Sequence, residues 1–387
     1  MTDADELSAA LVEMLDGRVP FERCREICEG EDGFSRQTWR EIAADGWLEV
    51  AANNLDSRLS LVKIVDVALE VGARLIPGPY STSTLIALPL TERWFPSFRD
   101  DIASGSHVVA VPMPTAALCN GTVEFIRPCV SRQQEGVRLD FELNSVPFAQ
   151  HSTHILVPVQ DDEGLPALVL VPLDSPGVAV IPRPTFDLTA PSARVIFSGV
   201  HVSDGALACD ADVGAEVRRA TSRYLLAHTA EALGGIRAVL GQTVAYVSLR
   251  SQFGVPIGSF QAVKHGLADV AVSYELGYSF VKDIAAAMDD GADATIDVLM
   301  ARLHATAAYV RACETAIHYH GGTGFTWEQG LHYWYRAALR HRSSPIPHVA
   351  LRRLLTQSLV SGPSMPVKPA VAFAVEGERP HQGSVAH

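Results

Sequence analysis

A helical pattern runs without a break from about residue 216 to residue 248 and stops at Arg250-Ser251-Gln252-Phe253-Gly254-Val255-Pro256-Ile257-Gly258. A second helical pattern begins near Gln261. Between them glycine supplies unusual backbone angles, and proline fixes φ and removes a donor, so the chain must turn there. Arg250 stands at the C-terminus of the first helix, where the dipole favours a cation. Its planar fork suits a phosphate better than a lysine would. The position is equally open to a surface arginine beside a tight helix–helix connection.

The helical period persists to the end of this half. Helices are predicted at 212–248, 260–289, 293–319 and 327–340, with a shorter piece at 346–360, and together they read as a bundle. Asp289-Asp290-Gly291 and Gly321-Gly322-Thr323-Gly324 mark turns between them. Residues 361–387 carry four prolines, three glycines and no periodicity, and read as a mobile tail.

Residues 1–105 are also helical in pattern. Leu7, Leu11, Met14 and Leu15 recur at helical spacing, as do Trp39, Ile42, Ala43 and Trp47, with Gly46 interrupting the second helix near its end. A third helix is predicted from about Ser60 to Ala73, ended by Ile76-Pro77-Gly78-Pro79, and a short apolar helix follows around residues 83–88. Near His107 the pattern changes to short apolar or alternating runs at 108–111, 136–143, 153–159, 167–172, 178–181 and 193–197. Runs so spaced, with Gly, Pro and Asp between them, predict a small β barrel or sandwich over about 106–204. The class is therefore α+β: an N-terminal helical domain (1–105), a middle β domain (106–204) and a C-terminal four-helix bundle (205–360).

A net charge of −13 excludes a general nucleic-acid binder, which needs a basic surface, and offers no attraction to anionic membranes. No run approaches the about 20 apolar residues of a membrane span. The acidic first residues lack the basic and apolar regions of a signal peptide, so the cytoplasm is the expected compartment. Six cysteines, Cys24, Cys28, Cys119, Cys129, Cys209 and Cys313, show no metal-ligand spacing and read as free thiols.

The Arg250–Gln261 stretch resembles the acyl-CoA dehydrogenase family, whose Arg-x-x-Phe-Gly-x-Pro-Ile-x-x-x-Gln opens the second half of a C-terminal bundle. A second family mark follows at the family's distance, His320-Gly321-Gly322-Thr323-Gly324-Phe325-Thr326-Trp327-Glu328. Trp39-x-x-Ile-Ala-x-x-Gly-Trp47 and Gly72-Ala-Arg-x-x-Pro77-x-Pro79 are similar to the family's N-terminal domain, so the resemblance covers about residues 1–360. It implies FAD-dependent α,β-desaturation of an acyl thioester, with electrons passed to an electron-transfer flavoprotein. A carboxylate takes the Cα proton while the Cβ hydride goes to the flavin.

By this resemblance Arg250 reaches a flavin pyrophosphate held mainly by a neighbouring subunit, and Gln252, Phe253, Gly321 and Gly322 join the cofactor site. His318 stands where the family has a glutamine, as a donor or as a packed histidine. His320 reads as a turn residue, not a metal ligand, and no metal set is recognised. The family's Thr-Glu-Pro-x-x-Gly-Ser-Asp loop is missing near Pro112–Gly121, and its aromatic flavin wall falls on Ser145-Val146-Pro147-Phe148, where Phe148 is the substitute.

The family places its base at one of two positions, which fall here near Pro345 and near Tyr224, neither a carboxylate. No Asp or Glu occurs between Gln329 and Val375. Glu328 and Tyr224 are the weak candidates left, one a charge near a helix N-terminus, the other a phenol with an ordinary pKa near 10. The implied reading is a subunit of a hetero-oligomer, paired with a related acyl-CoA dehydrogenase subunit that brings the base. A self-sufficient homo-oligomer with an atypical base, and a flavin-free binding or structural subunit, stay open beside it. Which acyl thioester is bound is not legible.

Overall fold

The computed structural model describes residues 14–50, 59–112, 130–132, 136–160 and 164–360. Leu7, Leu11, Cys119, Cys129, the loop region 113–121 and the 361–387 tail lie outside the described residues. Helix α1 spans Phe21–Glu29, α2 Arg36–Ala44 and α3 Leu61–Arg74. Ser35 caps α2 by accepting from the Thr38 amide at 3.2 Å, and Ser60 caps α3 by accepting from the Lys63 amide at 3.4 Å. The Asp289 carboxylate also meets the positive end of α3, accepting from the Leu61 and Val62 amides at 3.0 and 3.4 Å. Helix α2 ends at Ala44, before Trp47, because the chain turns through Gly46 at φ +82°.

The short helix expected at 83–88 belongs to a longer helical run. Tyr80–Thr82 forms one turn, Ser83–Ala87 a π turn, and α4 follows over Leu88–Trp94, with α5 at Arg99–Ala103. A π turn widens the helix locally and marks functional sites more often than chance.

The β region is two packed sheets. One holds β1 (Val109–Ala110), β4 (His154–Gln160), β5 (Pro166–Pro172) and β8 (Leu207–Ala208), in the order β1-β4-β5-β8. The other holds β2 (Val130–Arg132), β3 (Val137–Pro147), β6 (Val178–Arg183) and β7 (Ser192–Val202), in the order β2-β3-β7-β6. Strands β4 and β5 are apolar on both faces for a physical reason. Ile155, Val157, Val159, Val169 and Val171 face the second sheet, whereas Leu156, Leu168 and Leu170 join the helical core. The first sheet is thus a shared wall between the β region and the helices.

Beyond it come α6 (Val213–Leu249), α7 (Gln261–Asp289), α8 (Thr295–His320), α9 (Leu331–Ser343) and α10 (His348–Val360). Among the described residues α6 is the one helix long and apolar enough, by length and composition, to cross a membrane. Its buried apolar side chains pack in the core it shares with α3, α7 and α8.

Helices α3 and α6 cross with their backbones touching. A Cβ on Gly234 would lie 2.0 Å from the Leu69 carbonyl oxygen, and one on Gly72 would lie 2.0 Å from that of Glu231. Neither obstacle is a side chain that can swing aside. Gly234→Ala is therefore expected to force the helices apart and cost about 1–3 kcal/mol. A thermal melt reads this as a lower Tm, whereas Gly241→Ala, with open space around its Cβ, leaves it unchanged or raised.

Candidate active site

A cavity of about 440 Å³ opens where α3, the Tyr80–Thr82 turn, the β3 end, α6 and the α9 end converge. Tyr224 and the Ser343-Ser344 corner beside Pro345 both line it. Tyr224 and the two residues before Pro345, next to the two positions predicted for a base, thus share one chamber. Glu328 does not. It is exposed on the turn before α9 and is absent from the cavity wall, so it is set aside as a base. Tyr224 is buried, stacked on His228 at 5.3 Å, and burial pushes its phenol above the ordinary range. A phenol made harder to ionise is no base at neutral pH.

The sequence reading missed Glu231. It lies seven residues after Tyr224, and Tyr224, His228 and Glu231 fall on one face of α6 at i, i+4 and i+7. That spacing was the available signal. The Glu231 carboxylate accepts a short hydrogen bond from Ser81 Oγ across the cavity. Burial raises its pKa above the ordinary value, against the opposing pull of Ser81, Arg340 and Arg302. The cavity's other carboxylate, Asp187, is occupied: it accepts from Arg340 Nε at 2.6 Å and from the Thr189 amide at 2.9 Å.

Behind the wall Arg302 is completely buried. It faces His228 Nδ1 at 2.9 Å, donates to the His341 carbonyl at 2.7 Å, and donates also to the Ser344 carbonyl. Burial lowers its pKa to about 10, still charged at neutral pH. The His228 and His341 rings stack at 4.0 Å, and burial holds both well below the ordinary histidine range, so both are neutral. His228, Glu231 and His341 offer three donor atoms within 4.8 Å of one another, the one metal-compatible trio among the described residues. Arg302 and Arg340, at 2.9 and 3.2 Å from the two ring nitrogens of His228, put positive charge where a cation would sit.

The other predicted residues gather at the far end of α6. Ser251–Gln252 and Val255–Pro256 pair as a small ladder closed by Phe253 and Gly254, both left-handed at φ 55° and 81°. Positive φ at both central positions is the type I′ hairpin arrangement, strained for a phenylalanine. Phe253 stands 93% exposed on that turn. One helical turn before Arg250, the Tyr246 hydroxyl lies 3.3 Å from the His320 carbonyl and 3.4 Å from Thr323 Oγ1, while its ring stacks on His320 at 4.1 Å. This contact brings the Arg250 and Gly321-Gly322 segments together. Arg250, Gln252, Gly321, Gly322 and His318 are all exposed there, and a Cβ on either glycine would meet open space. His320 ends α8 as a buried side chain with Nδ1 2.8 Å from the Ala316 carbonyl. Phe148 sits apart, lining the cavity at φ 56° against Phe34.

Residues 221–343 match the family model described as acyl-CoA dehydrogenase, C-terminal domain. The chain is 35% identical over 355 residues to acyl-CoA dehydrogenase IpdE2 of Mycolicibacterium smegmatis, covering 90% of this chain and 96% of that relative. It is 27% identical to acyl-CoA dehydrogenase FadE27 of Mycobacterium tuberculosis, over 87% of this chain and 91% of the relative. Among solved structures it is similar to a chain of the ChsE4-ChsE5 complex from Mycobacterium tuberculosis, with TM-score 0.82, 26% identity, and 94% and 99% of the two chains covered.

The raised pKa of Glu231 sets a pH dependence. The folded state holds this proton more tightly than the unfolded chain, whose value is about 4.5. The stabilising contribution is therefore full below that pH and lost as pH rises to the folded value. Glu231→Gln keeps the group neutral throughout. The Tm of the variant relative to the parent is expected to be higher at pH 8 than at pH 5, and an equal offset at both would count against a perturbed carboxyl.

Proposed function

The chain belongs to the acyl-CoA dehydrogenase family, FAD-dependent oxidoreductases of acyl thioesters, and from that premise we propose that it is the subunit of a hetero-oligomer that completes a flavin site while a related subunit supplies the base. One observation carries the reading. Tyr224 and Ser343-Ser344, the residues at and next to the two base positions, line a single cavity and include no carboxylate, whereas the cofactor end keeps its arginine and its glycines. The ChsE4-ChsE5 complex, a two-component assembly by its name, supports the same arrangement.

The donor set at the cofactor end fits FAD. Arg250 presents a guanidinium with no ion-pair partner among the described residues at a helix C-terminus, where its fork suits a pyrophosphate. Gly321 and Gly322 let a ligand approach the backbone, and Gln252 and His318 offer polar edges beside them. When bound, FAD supplies the acceptor for the Cβ hydride. This chain's part is to hold the pyrophosphate across the subunit boundary, with Phe253 projecting from its strained turn toward the partner. An electron-transfer flavoprotein as acceptor, an oligomer and a cytoplasmic setting belong to the same proposal.

The test is an absorption spectrum of the purified chain, alone and after co-expression with a related subunit. A flavin band confined to the paired sample is expected. Arg250→Ala should remove it, and Arg250→Lys should weaken it because a point charge replaces a fork. A band and turnover in the lone chain would return the base to this cavity, where Glu231 is the carboxylate free of an arginine. No band in either sample would overturn the enzymatic reading.

A further inference from the structure

Two arginines line the cavity wall, and they are met differently. Arg340 donates from Nε to the Asp187 carboxylate at 2.6 Å. Arg336, on α9, has no hydrogen bond or ion pair with a described residue; its guanidinium carbon instead lies over two rings, 5.2 Å from the centre of Phe186 and 5.4 Å from that of Trp327. The cavity's own acids are engaged elsewhere, Asp187 by Arg340 and Glu231 by Ser81, and neither forms an ion pair with Arg336. In a chain of net charge −13, one wall of the cavity thus keeps a cation that no carboxylate answers.

The rings that hold this cation are themselves held. Trp327 Nε1 donates to Glu29 at 2.6 Å, and Asp187, next to Phe186, is tied to Arg340 and to the Thr189 amide at 2.9 Å. Arg336 is therefore placed in advance, and less rotamer freedom remains to be lost when an anion arrives. Aromatic contact uses the charge of a guanidinium and leaves its N–H groups, which lie in its plane, for an acceptor. Phe186 adds the second feature. It lines the cavity and is still 63% exposed, so it stands at the opening with ring surface facing solvent. An open ring beside a fixed cation matches a nucleotide, which brings a stacking base and a phosphate together. An inorganic anion has no use for the ring, and an apolar chain has none for the cation.

We propose that the Phe186–Arg336–Trp327 stack at the cavity opening binds an adenosine diphosphate moiety, its base on Phe186 and a phosphate on the edge of Arg336. Coenzyme A and FAD both carry that moiety, and titration separates them. The site is built from this chain's own residues and is independent of which subunit brings a base. It is also distinct from the Arg250 end of α6, which does not line the cavity.

The experiment is calorimetric titration of the full chain, alone and with its co-expressed partner, using ADP, hexanoyl-CoA, FAD and hexanoyl-pantetheine, which lacks the nucleotide. ADP is expected to bind, and Phe186→Ala to weaken it at least about fivefold through lost stacking. Arg336→Met keeps an aliphatic stem against the rings but deletes the charge, and should weaken ADP at least about tenfold. Arg336→Lys should fall between the parent and the methionine variant, because a point charge replaces a fork. Circular dichroism checks the fold of each variant, and Phe186, being exposed, can be truncated without opening the core. Weaker hexanoyl-CoA with unchanged hexanoyl-pantetheine would identify coenzyme A as the occupant, and weaker FAD with unchanged hexanoyl-CoA the flavin nucleotide; both support the site. No binding of ADP, or ADP affinity untouched by both Phe186→Ala and Arg336→Met, overturns the inference. The flavin band of the paired sample is read separately. A band without an ADP site sinks this inference alone, and an ADP site without a band sinks the subunit reading alone.

Discussion

Arg302 is a full cation with no solvent, and the cavity's shape depends on how that charge is met. Removing a guanidinium from water costs several kcal/mol unless its donors are satisfied. Here three are directed to a ring nitrogen of α6 and to two carbonyls at the end of α9, while Nε has no hydrogen-bond partner among the described residues. One side chain from α8 thereby fixes the distance between α6 and the Ser343-Ser344 corner. The corner would otherwise be a free helix end with unsatisfied carbonyls. The charge and the carbonyls answer each other's need, and the position that might have carried a base is held as a backbone anchor.

The close crossing of α3 and α6 completes the frame. Because Gly72 meets the Glu231 backbone and Gly234 meets Leu69, α6 lies flat on α3 and brings Glu231 within reach of Ser81 on the next helical turn. The shared sheet does the same from the other side. By facing β4 and β5 leucines to the helices and their valines to the second sheet, it seats the β3 end, with Phe148, against the chamber. The exposed arginine and the buried polar cluster are therefore separated along a single helix. Arg250 stands at the exposed end of α6, and Glu231, His228 and Tyr224 at its buried middle.

The helical periods, the strand runs and the Arg250 break could be read directly, because side-chain periodicity and backbone-restricting residues act locally. Gly46 marked the interruption of α2 in the sequence, and the helix ends two residues before it, at Ala44, which leaves Trp47 beyond the helix. The 83–88 piece proved part of a run from Tyr80, since its π turn leaves no mark in the apolar pattern. In the site, searching for a carboxylate at the family's own positions led away from Glu231, two helical turns further on. Glu328 drew notice as the last acid before a long gap, yet it lies outside the chamber.

The sequence by itself determined the order of helices and strands, the turn that places Arg250 at a helix end, and the want of a carboxylate at both base positions. These follow from local periodicity, from glycine and proline, and from residue identity. Only the tertiary structure decided that Tyr224 and Ser343-Ser344 line one cavity, that Ser81 holds Glu231, and that Arg302, Arg340, His228 and His341 cluster in its wall. Those facts depend on contacts between residues far apart in the chain, such as Ser81 with Glu231, 150 positions away. Burial then sets their chemistry, raising one carboxyl and lowering two histidines, and burial is a property of the fold and not of any residue taken alone.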